Sequence, residues 1–381
     1  MCGAGAAQAR GENRTPREPE GPFNASETTA AWVHLPGGFR AGLRRIAAGG
    51  RGARCRVLQE ADRAIQEASG VRRAGTSVSI PVSSANPFTK NIEDAMSATA
   101  KRIGFKFIEW ENQGQPSQWL QGMDHAISQK VNLIDLLAGT KPEVLGAKID
   151  EARQAGITVV ASHLSGYEQD LSPLKVHSIP IDYFKAGQLL VDWAVVQTGG
   201  KLNAIVLTSE KIHSTISMVN GITTEFKKCP ECRWKEINIP VVDWATRIQP
   251  NVQSALLADP TINYIIVIYD SMAQFVVPAV TITGSQNRVR IDAFNGTPFV
   301  LGLVQQGQVE MDIGENLDWI GHAIIDAEMR LICGLPPVKD PKIPFYIFDK
   351  SNAHRAGNPP ELSKGYGDAY IDGYLKLWRL K

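Results

Sequence analysis

The chain has 381 residues, 43% of them hydrophobic, with 40 Lys and Arg against 39 Asp and Glu. That length suits two domains, each with a core of its own, and a net charge of +1 argues against a protein built mainly to hold nucleic acid. No stretch approaches the roughly 18 consecutive apolar residues of a membrane span, and five cysteines exclude a disulfide-dense mini-scaffold.

The average hides a split. Residues 1–75 hold 12 Arg and no Lys against 7 Asp and Glu, a net of +5, which leaves −4 for residues 76–381. Residues 1–54 show no sustained helical or strand periodicity and are expected to be a disordered leader, linker or upstream sequence. A secretory signal needs an apolar run of roughly 7–15 residues; none occurs before Thr76, and Cys2 has no hydrophobic segment ahead of it. Residues 55–75 are expected to form an N-terminal helix and linker. Val57, Leu58, Ala61, Ala64, Ile65 and Ala68 fall on one face of a helix over Val57–Ser69 that Gly70 stops.

From Thr76 the pattern changes. Thr76–Pro81, Lys106–Trp110, Val131–Leu137 and Ile157–Ala161 read as strands, with helices over Asn91–Arg102, Gln118–Gln129 and Pro142–Ala155 between them. The alternation then repeats. Val176–Ile181, Leu202–Leu207, Glu236–Pro240, Ile262–Ile268 and Val289–Ala293 are extended. Phe184–Gln197, Thr215–Lys227, Ile248–Leu257 and Met272–Val280 are helical. Such alternation predicts an α/β protein of two doubly wound parallel-sheet lobes. Ligands in such sheets bind beyond the carboxyl ends of the strands, and two facing lobes would share one cleft. Amides, carboxylates and aromatics recur after the strands: Ser84-Ala85-Asn86-Pro87-Phe88, Ser162-His163, Asp243-Trp244, Tyr269-Asp270 and Asn295-Gly296.

Several of these segments resemble the type I periplasmic sugar-binding proteins, the ribose-binding-like substrate-binding components of ABC importers, over roughly residues 76–350. Asn86-Pro87-Phe88 is similar to the first ligand loop of that family, and Glu151–Val160 to its helix-to-strand signature. Asp182–Gly187 resembles its crossover into the second lobe. Tyr269-Asp270-Ser271-Met272-Ala273 resembles its Asn-Asp-x-Met-Ala motif, and Ala293–Pro298 its Phe-Asp-Gly-Thr-Pro motif.

The resemblance implies a periplasmic binding protein of type I joined by a three-segment hinge. Its crossings are expected near Ile181-Asp182, Asp292–Asn295 and Glu315–Asp318. The first lobe would comprise 76–181 plus 293–318, the second 182–292 plus 319–345, and 346–381 would form a C-terminal strap. The implied function is capture of a small polar solute, sugar or sugar-like, by closure of the lobes. The implied contacts are Asn86, Phe88, Ser162, His163, Trp244, Tyr269, Asp270, Asn295 and Glu315, with Phe88 and Trp244 forming a two-sided aromatic slot. The implied partner is an ABC transporter permease. The implied state is a monomer in the periplasm or at the cell surface, without nucleic acid.

Departures from the family pattern matter. His163-Leu164 stands where many members have Asp-Arg, Tyr269 replaces Asn, Asn295 replaces Asp, and Ser214–Val219 carries no arginine. The site is expected to be more aromatic and less cationic than a pentose site. A receptor for a small aromatic or signalling molecule therefore stays open, as does a lactose-repressor-type regulator. A regulator, however, needs a helix-turn-helix that the leading segment does not supply. No nucleotide-binding glycine loop, Gly-x-Ser-x-Gly elbow or His-Glu-x-x-His motif occurs, and no catalytic residue, metal or cofactor is assigned. Cys229-Pro230-Glu231-Cys232 lacks the second pair that a zinc site would want and is expected to be a local disulfide, which fits an oxidising compartment.

Overall fold

The computed structural model describes residues 75–209 and 213–381, so the leading segment and the helix expected over Val57–Ser69 lie outside the described residues. β1 (Thr76–Pro81), β2 (Lys106–Glu109), β3 (Leu133–Leu137), β4 (Thr158–Ser162) and β5 (His177–Ile179) form one sheet in the order β2-β1-β3-β4-β5. All its pairings are parallel. α1 (Pro87–Ile103), α2 (Pro116–Ser128) and α3 (Gly146–Gln154) make the connections. Because helices cover both faces, the strands read as apolar runs rather than alternations; β3 is buried at every position.

Local chemistry sets the boundaries. α1 begins earlier than its apolar periodicity suggests, because Pro87 suits a first helical position and Asn86 caps it by accepting from the Phe88 amide. Gly104, left-handed at φ 72°, ends it. Ile92, Met96, Ala100 and Ile103 form its buried stripe.

The second sheet contains β6 (Asn203–Thr208), β7 (Arg233–Asn238), β8 (Tyr264–Val267), β9 (Arg290–Asn295), β10 (Met311–Glu315) and β11 (Phe345–Asp349). Their order is β11-β10-β9-β8-β6-β7, with β11 antiparallel to β10 and the rest parallel. α4 (Tyr183–Gln197), α5 (His213–Phe226), α6 (Trp244–Ala258), α7 (Ala273–Ile282) and α8 (Pro298–Gln305) belong to this lobe. Cys229 and Cys232 form a disulfide in the turn between α5 and β7.

The lobe boundaries differ from the expected ones. Residues 293–318 were assigned to the first lobe, but β9, α8 and β10 continue the second sheet, with Met311 opposite Asp292 and Gly314 opposite Asn295. α9 (Leu317–Ile332), assigned to the second lobe, packs on α1 of the first. Gly321 allows that approach: a Cβ there would lie 2.8 Å from the Ala95 Cβ. The chain therefore passes between lobes at 180–182, at Glu315–Leu317 and along 333–344, and the crossing expected near Asp292–Asn295 is replaced by the last of these. The segment expected as a strap from 346 starts inside β11 and ends in α10 (Ala369–Leu377), which packs on α9.

Glu93 on α1, Asp135 on β3 and Glu328 on α9 are buried in the first lobe with no ion-pair partner among the described residues, unlike the buried Asp326, which pairs with Arg330. Burial pushes Asp135 up to about 7 and Glu93 up to about 8, and lifts Glu328 well above the carboxylate range. Removing a charge from water without a counter-charge favours the neutral acid.

Candidate functional site

The loops at the carboxyl ends of the two sheets meet. His163 follows β4 and is 2% exposed; its backbone is left-handed at φ 50°, a region His enters more readily than most residues. Its Nε2 lies 2.9 Å from Glu315 Oε1, at the end of β10. The same oxygen accepts from Asn295 Nδ2, at the end of β9, at 3.0 Å. On the other side of the ring, Nδ1 lies 2.5 Å from the Tyr183 hydroxyl, which also sits 2.9 Å from the His163 carbonyl oxygen. The Tyr183 hydroxyl donates its hydrogen to the His163 carbonyl oxygen, and the ring tautomer sets which partner donates at Nδ1 and at Nε2. Phe88 meets the His163 ring edge-on, with centroids 5.0 Å apart. Glu315, Tyr183 and Phe88 thus gather around one buried imidazole, and Asn295 holds the Glu315 carboxylate.

A second group lies wholly in the other lobe. The Tyr269 hydroxyl contacts Ser214 Oγ at 2.7 Å and Thr215 Oγ1 at 3.0 Å, both on the first turn of α5. Its ring lies 6.4 Å from that of Trp244. At the rim, Glu143 of the first lobe and His213 of the second are 2.7 Å apart. Gly166, in the loop after β4, lies so close to α5 that a Cβ would fall 2.3 Å from Ser217 Oγ.

The structure redistributes the other expected contacts. Trp244 is the first residue of α6 and is 7% exposed. Its Nε1 donates to the Ile239 carbonyl at 3.1 Å and to Ser209 Oγ at 3.2 Å, and its ring joins the core with Ile248 and Val252. The expected slot is therefore corrected: Phe88 packs on His163 and Trp244 on Tyr269, each within a different cluster. Ser162 donates to Asp135 Oδ2 at 2.7 Å and so serves the buried carboxyls of its own lobe. Asp270 accepts from the Thr297 amide at 2.7 Å and hydroxyl at 2.6 Å. It holds the turn after β9, and burial pushes its carboxyl up to about 6 against those bonds. The Asn86 side-chain oxygen is taken by its capping bond.

Tyr183, Ser214 and Thr215 were not anticipated. In the sequence Tyr183 reads as part of a crossover motif, and the hydroxyl-rich start of α5 carries no arginine to mark it. A cavity of about 290 Å³ lies beside the crossings, bounded by Tyr167, Asp182, Lys185, Glu315, Asp340 and Phe345. Of the expected contacts it touches Glu315 alone. Among the described residues, no group of three His, Cys, Asp or Glu is placed to hold a metal, and no helix is long and apolar enough to cross a membrane.

A family model described as periplasmic binding protein domain matches residues 77–336. No curated protein sequence matches the chain. Among solved structures, an ABC transporter periplasmic solute-binding protein from Actinobacillus succinogenes with bound D-allose is similar, at 18% identity and a TM-score of 0.65 over 73% of this chain and 99% of that one. An Agrobacterium vitis solute-binding protein with bound allitol is similar at 18% identity and a TM-score of 0.66, over 74% and 98% of the two chains. A glucose-galactose binding protein from Geobacillus stearothermophilus is similar at 17% identity and 0.65, over 73% and 98%.

Proposed function

Because the chain belongs to the periplasmic binding protein domain family, we propose that it is the solute-binding component of an ABC importer, capturing a sugar or a sugar-like polyol between its lobes. The observation that carries this reading is the convergence of His163, Asn295 and Glu315 from strand ends of both sheets. Contacts of that kind form only when the lobes approach, so a solute that bridges them favours the closed form. The chemistry suits a neutral, polyhydroxylated solute. The converging groups are amide, imidazole, carboxylate and hydroxyl, each able to exchange hydrogen bonds with sugar hydroxyls. Phe88 supplies an apolar wall beside them. Similar folds hold D-allose and allitol, which makes hexoses and alditols the first solutes to try. The partner in this reading is the permease, the working form is a monomer, and the compartment is the periplasm or the cell surface.

Titration calorimetry of the full chain against D-allose, D-tagatose, D-glucose and allitol tests it. Saturable one-to-one binding of at least one is expected. Silence across the panel together with sequence-specific DNA binding would replace this reading with a regulator.

A further inference from the structure

The turn after β9 and the end of β10 are shaped by a residue from the far end of the chain. Asn295 has φ 148° and Gly296 φ 77°. A non-glycine residue in such a region persists only where its surroundings hold it. The Tyr366 hydroxyl lies in a notch between these two strand ends. A Cβ built on Gly314 would be 2.0 Å from that oxygen, and one built on Gly296 would be 2.3 Å from it. Either side chain would evict the tyrosine. Asn295 directly precedes one of these glycines, and Glu315 directly follows the other. The Tyr366 ring is fixed from outside by Phe348 and Tyr346, with centroids 5.1 and 5.9 Å away. Its hydroxyl is sealed from solvent and has no hydrogen-bond partner among the described residues.

We propose that Tyr366 is a positioning residue: it fixes the backbone at Asn295-Gly296 and Gly314-Glu315 so that Asn295 holds Glu315 and Glu315 meets His163. The tail is anchored on both sides of this wedge. Gln305 Nε2 donates to the carbonyls of Ala353 at 3.0 Å and Gly357 at 2.7 Å. Ser363 Oγ, still before the wedge, accepts from the Asp318 amide at 2.9 Å, and beyond the wedge Trp378 Nε1 donates to Asp326 at 2.9 Å. The tail therefore makes a further passage between the lobes, from the edge of the second sheet to α9 of the first, with Tyr366 between its two anchors on α9.

For affinity, the proposal rests on the sugar-binding reading above; for geometry it does not. Hydrogen exchange on the ligand-free full chain reads the geometry. In Tyr366→Ala, the amides of 295–297 and 314–316 should exchange faster, while Tyr366→Phe, which keeps the ring in place, restores most of the protection. Trp378→Ala is the control, lowering the melting temperature without changing exchange at these amides. Where a sugar binds, Tyr366→Ala should weaken it roughly tenfold or more, the equivalent of one misaligned hydrogen bond to a charged group. If Tyr366→Ala fails to fold, Tyr366→Leu fills the outer space without reaching the notch and takes its place. Unchanged exchange in the Ala or Leu variant, or equal loss of affinity in Trp378→Ala, overturns the proposal. A wild type that binds no sugar, with exchange behaving as expected, overturns the sugar reading and leaves the positioning role intact.

Discussion

Replacing Glu93 by Gln should stabilise the protein at neutral pH and flatten its pH dependence. Glu93 is 1% exposed, and burial pushes its carboxyl from 4.5 up to about 8, with the nearby Ser79 hydroxyl offsetting part of the rise. Between those two values the folded protein holds a proton that the unfolded chain has released. The contribution of Glu93 to stability is therefore greatest below pH 4.5, falls as pH rises through the window, and levels off above about 8. At pH 7 the gap from 4.5 is two and a half units; at about 1.36 kcal/mol per unit it amounts to about 3 kcal/mol. Gln has nearly the same volume and cannot ionise. Glu93→Gln should thus gain up to about 3 kcal/mol at pH 7 and well under 1 kcal/mol at pH 5. Asp135 and Glu328 still titrate in the variant, so its slope is reduced rather than abolished. Urea unfolding of both proteins from pH 5 to pH 8.5 measures the difference. A difference that stays constant with pH would refute the reasoning, because it would mean that Glu93 folds already ionised or is not buried.

Two other substitution and labelling results are expected. Trp244→Ala should cost about 3–5 kcal/mol of stability, the usual range for deleting a buried aromatic, seen as a lower melting temperature of the sugar-free protein. A variant that melts normally and loses only sugar affinity would return Trp244 to the cleft. Alkylation of the denatured, unreduced protein should leave Cys229 and Cys232 unmodified by mass spectrometry, and labelling of both would remove the argument from redox state to an oxidising compartment.

The doubly wound architecture was legible because parallel strands buried on both faces leave a plain signature. Runs such as Tyr264–Ile268 followed by helical spacing admit few other readings. The lobe assignment of β10 and α9 was not legible. A chain leaving β9 through Asn295-Gly296 has the same sequence whether its next strand pairs beside β9 or in the other sheet; pairing decides, and pairing is non-local. His163 and Asn295 stood out because polar residues directly after apolar strands mark the ligand end of such sheets, whereas Glu315 was reached only through the family resemblance. Trp244 misled for the same reason: it follows β7, but it also opens a helix, and the helix turns its ring into the core. Ser162 and Asp270 were polar and correctly located along the strands, yet their bonds go to Asp135 and Thr297. Tyr366 lay beyond reach, since nothing in residues 346–381 announces a notch made by two glycines far upstream.

The packing of α9 on α1 bears on how the chain matures as it is synthesised. The second lobe is almost continuous in sequence, from Tyr183 to Glu315, and lacks only its edge strand β11. The first lobe begins earlier, at Thr76, but the helix that covers α1 ends at Ile332, and α10 follows only at Ala369. Domains generally fold as units while the chain emerges from its N-terminal end. Here the lobe made first cannot be the lobe finished first. Ala95 and Thr99, which meet Gly321 and His322 of α9, wait for that helix through the making of more than half the described chain. A nascent protein halted before Leu317 would present a nearly complete second lobe beside an open first one, and that open face of α1 is where a chaperone would find it.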